Sequence, residues 1–190
     1  IVFDMEAIKK IELNKIAKTI LIAALGTLLL TVSAKIKIPF YPVPMTMQTF
    51  VVLFIGITLG SKIGLLTVSL YLLEGIYGLP VFAGTPEKGI GFIYFTGPTM
   101  GYLLGFLIAV YFAGSFKYEK NLFNNLIKLL FCVSFIYILG LAWLGILIGW
   151  EKPIFKLGAQ PFLLAELFKI LLLLFLLPNL LKMKKFLKIT

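Results

Sequence analysis

Along the chain, long apolar stretches alternate with short polar or proline- and glycine-rich breaks. The first stretch, Leu13 to Ser33, has about the 20 residues that an α-helix needs to cross a hydrocarbon core. It stops before Lys35 and Lys37. Ile1 to Lys18 mixes Asp4, Glu6, Lys9, Lys10, Glu12, Lys15 and Lys18 with apolar positions and reads as an amphipathic lead-in at a membrane interface. The run after it has no small-residue cleavage site and is one of several alike, so a retained span is expected and not a signal peptide. From Ile38 to Gln48, Pro39, Pro42 and Pro44 forbid continuous helix and force extended or turn geometry. The next apolar run, Thr49 to Leu59, is short for a span. It predicts backbone that enters the protein, where irregular geometry is tolerated only if it is buried or lines a cavity.

Gly60-Ser61-Lys62 turns the chain into a third span, Ile63 to about Leu79, interrupted by Glu74. Leu79 to Gly91 is rich in glycine and proline and predicts a structured loop. The fourth span, entered through Thr96-Gly97-Pro98-Thr99, carries Gly97, Gly101, Gly105, Ala109 and Ala113 at every fourth position. Such a stripe lets a neighbouring helix approach closely. Gly56, Gly60 and Gly64 repeat the spacing across the turn before the third span. Lys117 to Lys128 is a polar connector, the fifth span runs from about Leu126 to Trp150, and 151–159 connects to a sixth from Gln160 to Leu177, ended by Pro178. The pattern predicts a single all-α integral membrane domain of six transmembrane helices. Residues 1–18 form the lead-in, about 19–181 the bundle and 182–190 a basic tail.

Composition strengthens this reading. Hydrophobic residues make up 61% of the 190 positions and charged ones 14%, well above the ~45–50% apolar share of soluble domains. The net charge of +10 comes from 18 lysines against 8 acids. They punctuate apolar segments and form no basic face with interleaved aromatics, so nucleic acid is not the partner and the lipid bilayer is. With six spans, 12 lysines fall on the side of the termini, whereas Lys35, Lys37, Lys88, Lys152 and Lys156 fall on the other. Both termini are therefore expected in the cytoplasm of a prokaryotic-type cell membrane. The Pro-rich loop, the Gly/Pro loop and the start of the sixth helix then share the outer face. Cys132 is a lone apolar-run thiol.

Within the sixth span, Glu166 and Lys169 stand at i and i+3, on one face of a helix. Charges in an apolar span cost roughly 3 kcal/mol each, so they face a protein interior, a partner or a polar cavity. The pair can serve a solute pocket, neutralise itself as a structural ion pair, or act in an intramembrane enzyme. Glu74 has two readings, an interfacial position or the pocket. The chain contains no histidine, which removes zinc-protease motifs and Ser-His or Cys-His pairs, and no metal site or cofactor is expected. Gly56 to Lys62 lacks the Gly-Lys-Ser/Thr ending of a nucleotide-binding loop, so the chain does not hydrolyse ATP by that route.

Four motifs in order carry a family resemblance: Pro42-Val43-Pro44-Met45-Thr46-Met47-Gln48-Thr49, Gly78 to Gly84, Gly97 to Gly105, and Pro161-Phe162-x-x-x-Glu166-x-x-Lys169. Over about Leu13 to Lys182 the chain resembles the BioY proteins, biotin-binding S components of energy-coupling-factor (ECF) transporters. The resemblance implies an S-component-like six-helix bundle that captures biotin as transported substrate. It is not an enzyme, and its partners are a transmembrane coupling (T) protein and two cytoplasmic ATPases. An S component for a related vitamin is the other reading within this class. Against biotin's two ureido N–H groups and one carbonyl, the candidate binding residues are Glu166, Lys169, Gln48, Thr46 and Thr99, with Phe82, Gly84 and Tyr102 as wall. The chain departs from the family pattern at Glu166, where Asp is usual, at Met100, where Gly is usual, and at Glu74, where an apolar residue is typical. Thr19, Ala23 and Thr27 stand where the family often has an Ala-x-x-x-Ala docking face.

Overall fold

Backbone polar groups in a hydrocarbon layer must be satisfied within their own segment, and the apolar runs accordingly form helices. The structure, a computed structural model, describes residues 2–39, 41–87 and 89–187, without the side chains of 2–12 and Asn14. The amphipathic face read over the first 12 residues, with Lys9 and Lys10, and the positions of Lys88 and Lys188 lie outside the described residues. The helices are α1 (Val2–Lys35), α2 (Gln48–Ile76), α3 (Met100–Ser115), α4 (Leu122–Ile148), a short α5 (Ile154–Gly158) and α6 (Leu163–Leu187). Among the described residues four helical stretches are long and apolar enough to cross a membrane: Lys15–Lys35, Gln48–Ile76, Leu122–Ile148 and Ile154–Leu187. Large apolar side chains such as Leu21, Ile146 and Phe175 cover the outside.

The 29 residues of α2 are two arms folded back at Gly60, whose φ of 79° and ψ of 174° leave the helix. In a straight helix Gln48 and Tyr71 would stand about 34 Å apart at 1.5 Å per residue; their side chains are hydrogen-bonded at 2.8 Å. The short run before Gly60 thus forms a helix of its own, buried along nearly its whole length. Among the described residues this makes six long helical segments. Among the described residues the only strands are the pairs Lys37–Ile38 (β1) and Met45–Thr46 (β2), antiparallel with Lys37 opposite Thr46. They straighten the Pro-rich loop. The Tyr41-Pro42 and Thr85-Pro86 bonds are cis.

Small residues decide the packing. On α3, Gly101 lies against Leu139 and Trp143 of α4, and a Cβ on Gly105 would come within 2.5 Å of Ile136 Cα. Ala109 and Ala113 are fully buried, and Ala113 lies toward Gly56 of α2. The stripe thus wedges α3 between α2 and α4. Gly97 is not part of it: it caps a 3-10 turn, Gly91–Thr96, and its carbonyl accepts from Trp143 Nε1 at 2.9 Å. Pro98 follows directly and α3 begins only at Met100, because the residue before a proline is biased away from helix. On α1 the buried stripe is Ala23, Gly26, Thr27, Leu30, Ser33 and Ala34. Ala23 and Thr27 therefore serve packing inside the bundle and are not a free docking face. Thr27 Oγ1 donates to Glu74 Oε1 at 3.0 Å, so Glu74 faces α1 and neither the interface alone nor the pocket.

Several boundaries differ from those the sequence predicts. No break separates the lead-in from the first span, since α1 is continuous. The second arm of α2 ends at Ile76, where Tyr77 and Gly78 turn the chain, and α4 starts at Leu122 because Asn121 caps it, accepting from the Phe123 and Asn124 N–H groups. Pro178 does not end α6, which runs on to Leu187, carrying Lys182, Lys184 and Lys185 on helix. Pro178 is on an exposed face, while Leu174, Leu177 and Leu180 keep the buried face packed across it. That packing outweighs the lost hydrogen bond. Gly105→Ala should push α3 from α4 and lower stability by about 1–3 kcal/mol, whereas Gly97→Ala, outside the helix, should cost much less. Thermal unfolding of the two variants in detergent checks the difference.

Candidate functional site

The α6 buried face, Glu166, Lys169, Ile170, Leu173 and Leu177, recurs at three- and four-residue steps and lies against the first arm of α2. It presents two charges in an otherwise apolar stripe. Lys169 Nζ stands 2.7 Å from Glu166 Oε1, and both residues are buried, at 7% and 6% exposure. The ammonium also donates to the Thr46 carbonyl at 2.6 Å and to Thr49 Oγ1 at 3.0 Å, and the Thr49 hydroxyl donates to Glu166 Oε1 at 3.0 Å. A lysine has three N–H donors, and all three are engaged. Lys169 thus holds the Pro-rich loop, α2 and Glu166 together.

Glu166 stands in the wall of a narrow cavity of about 50 Å³ at the end of the bundle where the loops gather. Val43 to Thr46, Gln48 and Thr49 form one side, Thr99, Tyr102, Leu103 and Phe106 of the α3 entrance another, and Ile136, Tyr137 and Phe162 a third. Ala83 and Tyr94 complete it. The lining is aromatic and aliphatic, with a few hydroxyls, an amide and one carboxylate, the usual make-up of a small-molecule site. The Tyr102 hydroxyl donates to the Gly158 carbonyl at 2.8 Å, which leaves its ring as wall. Tyr137 packs edge-on to that ring at 6.0 Å. Burial holds the Tyr94 phenol above its usual pKa, so it stays neutral and can both donate and accept.

The cavity is tied to the Gly/Pro loop by hydrogen bonds. Thr46 Oγ1 donates to Gln48 Oε1 at 3.2 Å, Gln48 Nε2 to the Tyr71 hydroxyl at 2.8 Å, and Tyr71 in turn to the Val81 carbonyl at 3.0 Å. From the other side, Lys35 Nζ donates to the carbonyls of Phe82 and Thr85 at 2.9 and 3.0 Å, and Lys37 Nζ to that of Ala83 at 2.8 Å. Residues 81–85 are thus clamped between α1, the hairpin and α2.

Of the residues singled out in the sequence, Glu166, Gln48, Thr46, Thr99 and Tyr102 line the cavity. Lys169 stands behind Glu166, beside an apolar pocket between the hairpin and α6. Phe82 is not wall: it fills the space behind, stacked on Tyr94 at 4.8 Å and edge-on to Tyr71 at 5.3 Å. Gly84 touches the site through its N–H, which donates to the Tyr94 hydroxyl at 3.4 Å. Sequence reasoning passed over Thr49, Tyr94 and Tyr137. Thr49 stands three residues after Thr46 at the start of a helix and could have been found by that spacing; nothing local marks the two tyrosines.

A profile of the BioY family matches residues 5–186. The chain is 37% identical over 153 residues to the probable biotin transporter BioY of Pyrococcus horikoshii, covering 80% of this chain and 90% of that protein. It is 37% identical to the biotin transporter BioY of Thermotoga maritima, over 78% of this chain and 86% of the other. A crystal structure of the S-component for biotin from an ECF-type ABC transporter superposes with a TM-score of 0.73 at 28% identity, covering 89% of this chain and 93% of that one.

Lys169→Met leaves the buried Glu166 carboxylate without its counterion and should lower stability by about 3 kcal/mol or more. Combining it with Glu166→Gln removes both charges and should recover much of that loss. Thermal unfolding of the two single variants and the double variant measures the coupling.

Proposed function

The chain belongs to the BioY family, and from that premise we infer that it captures biotin as the S component of an ECF-type transporter. The observation that carries this reading is the Glu166 carboxylate, fixed by Lys169 and Thr49 in the wall of an aromatic cavity. Biotin's ureido ring offers two N–H donors and one carbonyl acceptor, and its thioether ring and aliphatic chain suit the remaining apolar wall. Lys169 and Thr49 hold the carboxylate at Oε1 and the Tyr137 hydroxyl also bonds to the carboxylate, so the acceptor assigned to the ligand is already oriented by three side chains. Charge-assisted bonds of this kind are the strong ones. Lys169, with its three protons engaged, acts by positioning, as does Tyr137 through its bond to Glu166, and Gln48 and Thr99 are the polar groups assigned to the rest of the ureido ring. Glu166 in place of a shorter Asp brings the acceptor one methylene further into the cavity.

The task is capture and passage, without conversion of the ligand. For energised uptake the chain then works with a T protein and two ATPases, a division of labour that suits a sequence without a Gly-Lys-Ser/Thr nucleotide loop. The lysine distribution supports cytoplasmic termini, six spans in the cell membrane and a cavity that opens outward. The 79–91 loop, held by Lys35, Lys37 and Tyr71, is the lid.

Purified protein should bind biotin with micromolar or tighter affinity, at least ~8 kcal/mol, and Glu166→Gln should weaken binding by about 1.5–3 kcal/mol. Calorimetry in detergent measures both. No saturation would sink the reading, and tight retention of a different vitamin would move it within the class. Limited proteolysis should cut the 79–91 loop more slowly when biotin is present, and Lys37→Ala should reduce that protection. Equal cutting with and without biotin argues against the lid.

A further inference from the structure

We propose that the crevice between α1, the first arm of α2 and the end of α6 is a binding site for an anionic phospholipid. It lies at the end of the bundle opposite the cavity. Both α1 and α6 pack on α2, and between them Ile22, Leu25, Leu29, Phe54, Leu59 and Leu187 line an apolar channel open to the outside. In a bilayer such a channel takes an acyl chain.

The charge at its mouth specifies the headgroup. Two of the three walls bring lysine there: Lys15 and Lys18 stand on α1, within two turns before Ile22, and Lys184 stands on α6 one turn before Leu187, while Lys62 follows the Gly60 turn that ends the third wall. Lys18 Nζ donates to the Leu187 carbonyl at 3.0 Å, which draws α1 and α6 together at the mouth; among the described residues this is its one hydrogen bond, and an ammonium carries three donors. Among the described side chains of 13–26, 58–62 and 177–187 there is no aspartate or glutamate. The other lysine group at this end is different. Lys128 pairs with Glu119 at 3.4 Å and donates to the Lys117 carbonyl at 2.7 Å. A topological preference for lysine explains why both groups are at this end. It does not explain why lysines of both α1 and α6, with no acidic partner among the described side chains, flank the mouth of one apolar crevice. A phosphate ester above an acyl chain satisfies both halves of the site at once.

The test does not depend on biotin. The full chain is delipidated, exposed to vesicles of equal parts phosphatidylcholine and phosphatidylglycerol, re-extracted, and its retained lipid read by native mass spectrometry. The wild type should retain phosphatidylglycerol over phosphatidylcholine by about tenfold or more. Lys18→Ala with Lys184→Ala should abolish the preference. Leu25→Trp, which fills the channel and keeps every lysine, should abolish retention, and Lys117→Ala with Lys120→Ala should change neither. Equal retention of the two lipids by the wild type means annular lipid only and overturns the proposal. So does an equal loss in the Lys117 and Lys120 control, full retention after Leu25→Trp, or a wild type that holds no lipid, which would leave the crevice to a protein helix. If the Lys18 and Lys184 variant fails to fold, the wild type and Leu25→Trp decide alone.

Discussion

The fold around the cavity depends on one ammonium. Lys169 is the point at which α6, the Pro-rich loop and the first arm of α2 meet, through Glu166, the Thr46 carbonyl and Thr49. A charge so deeply buried would be intolerable without full compensation. Each of its three donors has an acceptor, and the acceptors come from residues 46, 49 and 166. The energetic demand of the lysine thus fixes a loop that proline alone only keeps out of helix. The carboxylate is oriented by the same contacts, so its direction is defined before any ligand arrives. Preorganisation of this kind reduces the ordering cost of binding.

A second constraint sets the cavity's width. The wall residues Tyr102 and Phe106 sit on α3, and α3 can occupy its place only because Gly101 and Gly105 let α4 approach on one side and Gly56 lets Ala113 approach on the other. Gly140 completes this arrangement, since the Tyr102 ring lies over it where a Cβ would stand. The ring then reaches the Gly158 carbonyl and holds the α5 segment against the wall. Small residues far from any polar group therefore determine where the aromatic wall stands.

Much of this was legible in the sequence, and what escaped it shares a physical cause. The hairpin at Gly60, the Pro-rich break and the shared face of Glu166 and Lys169 follow from local rules of backbone geometry and helical period. Pro178 and Gly97 were misplaced because a local rule met a tertiary term: packing of Leu174, Leu177 and Leu180 carries a helix through a proline, and Pro98 keeps Gly97 out of one. Lys169's bond to Thr46 spans 123 positions and has no local sign. An aromatic in a Gly/Pro loop can face either way, so the sequence alone does not distinguish wall from interior at Phe82. Its pairing with Tyr71 and Tyr94 turned it inward.

Lys35 and Lys37 show how one residue type meets two demands. By position they mark the side of the membrane to which the first loop belongs. By geometry their ammonium groups reach four oxygens of residues 82–85, three of them carbonyls that a glycine- and proline-rich loop cannot satisfy by helix or sheet. Lys37 also pairs through its backbone with Thr46, whose carbonyl receives Lys169. The lysine clamp on the loop and the buried ion pair are therefore separated by a single strand pair. Displacing the loop would pull on β1, hence on β2, and hence on the acceptor that Lys169 needs. The 81–85 loop and the Glu166 carboxylate therefore form one mechanical unit.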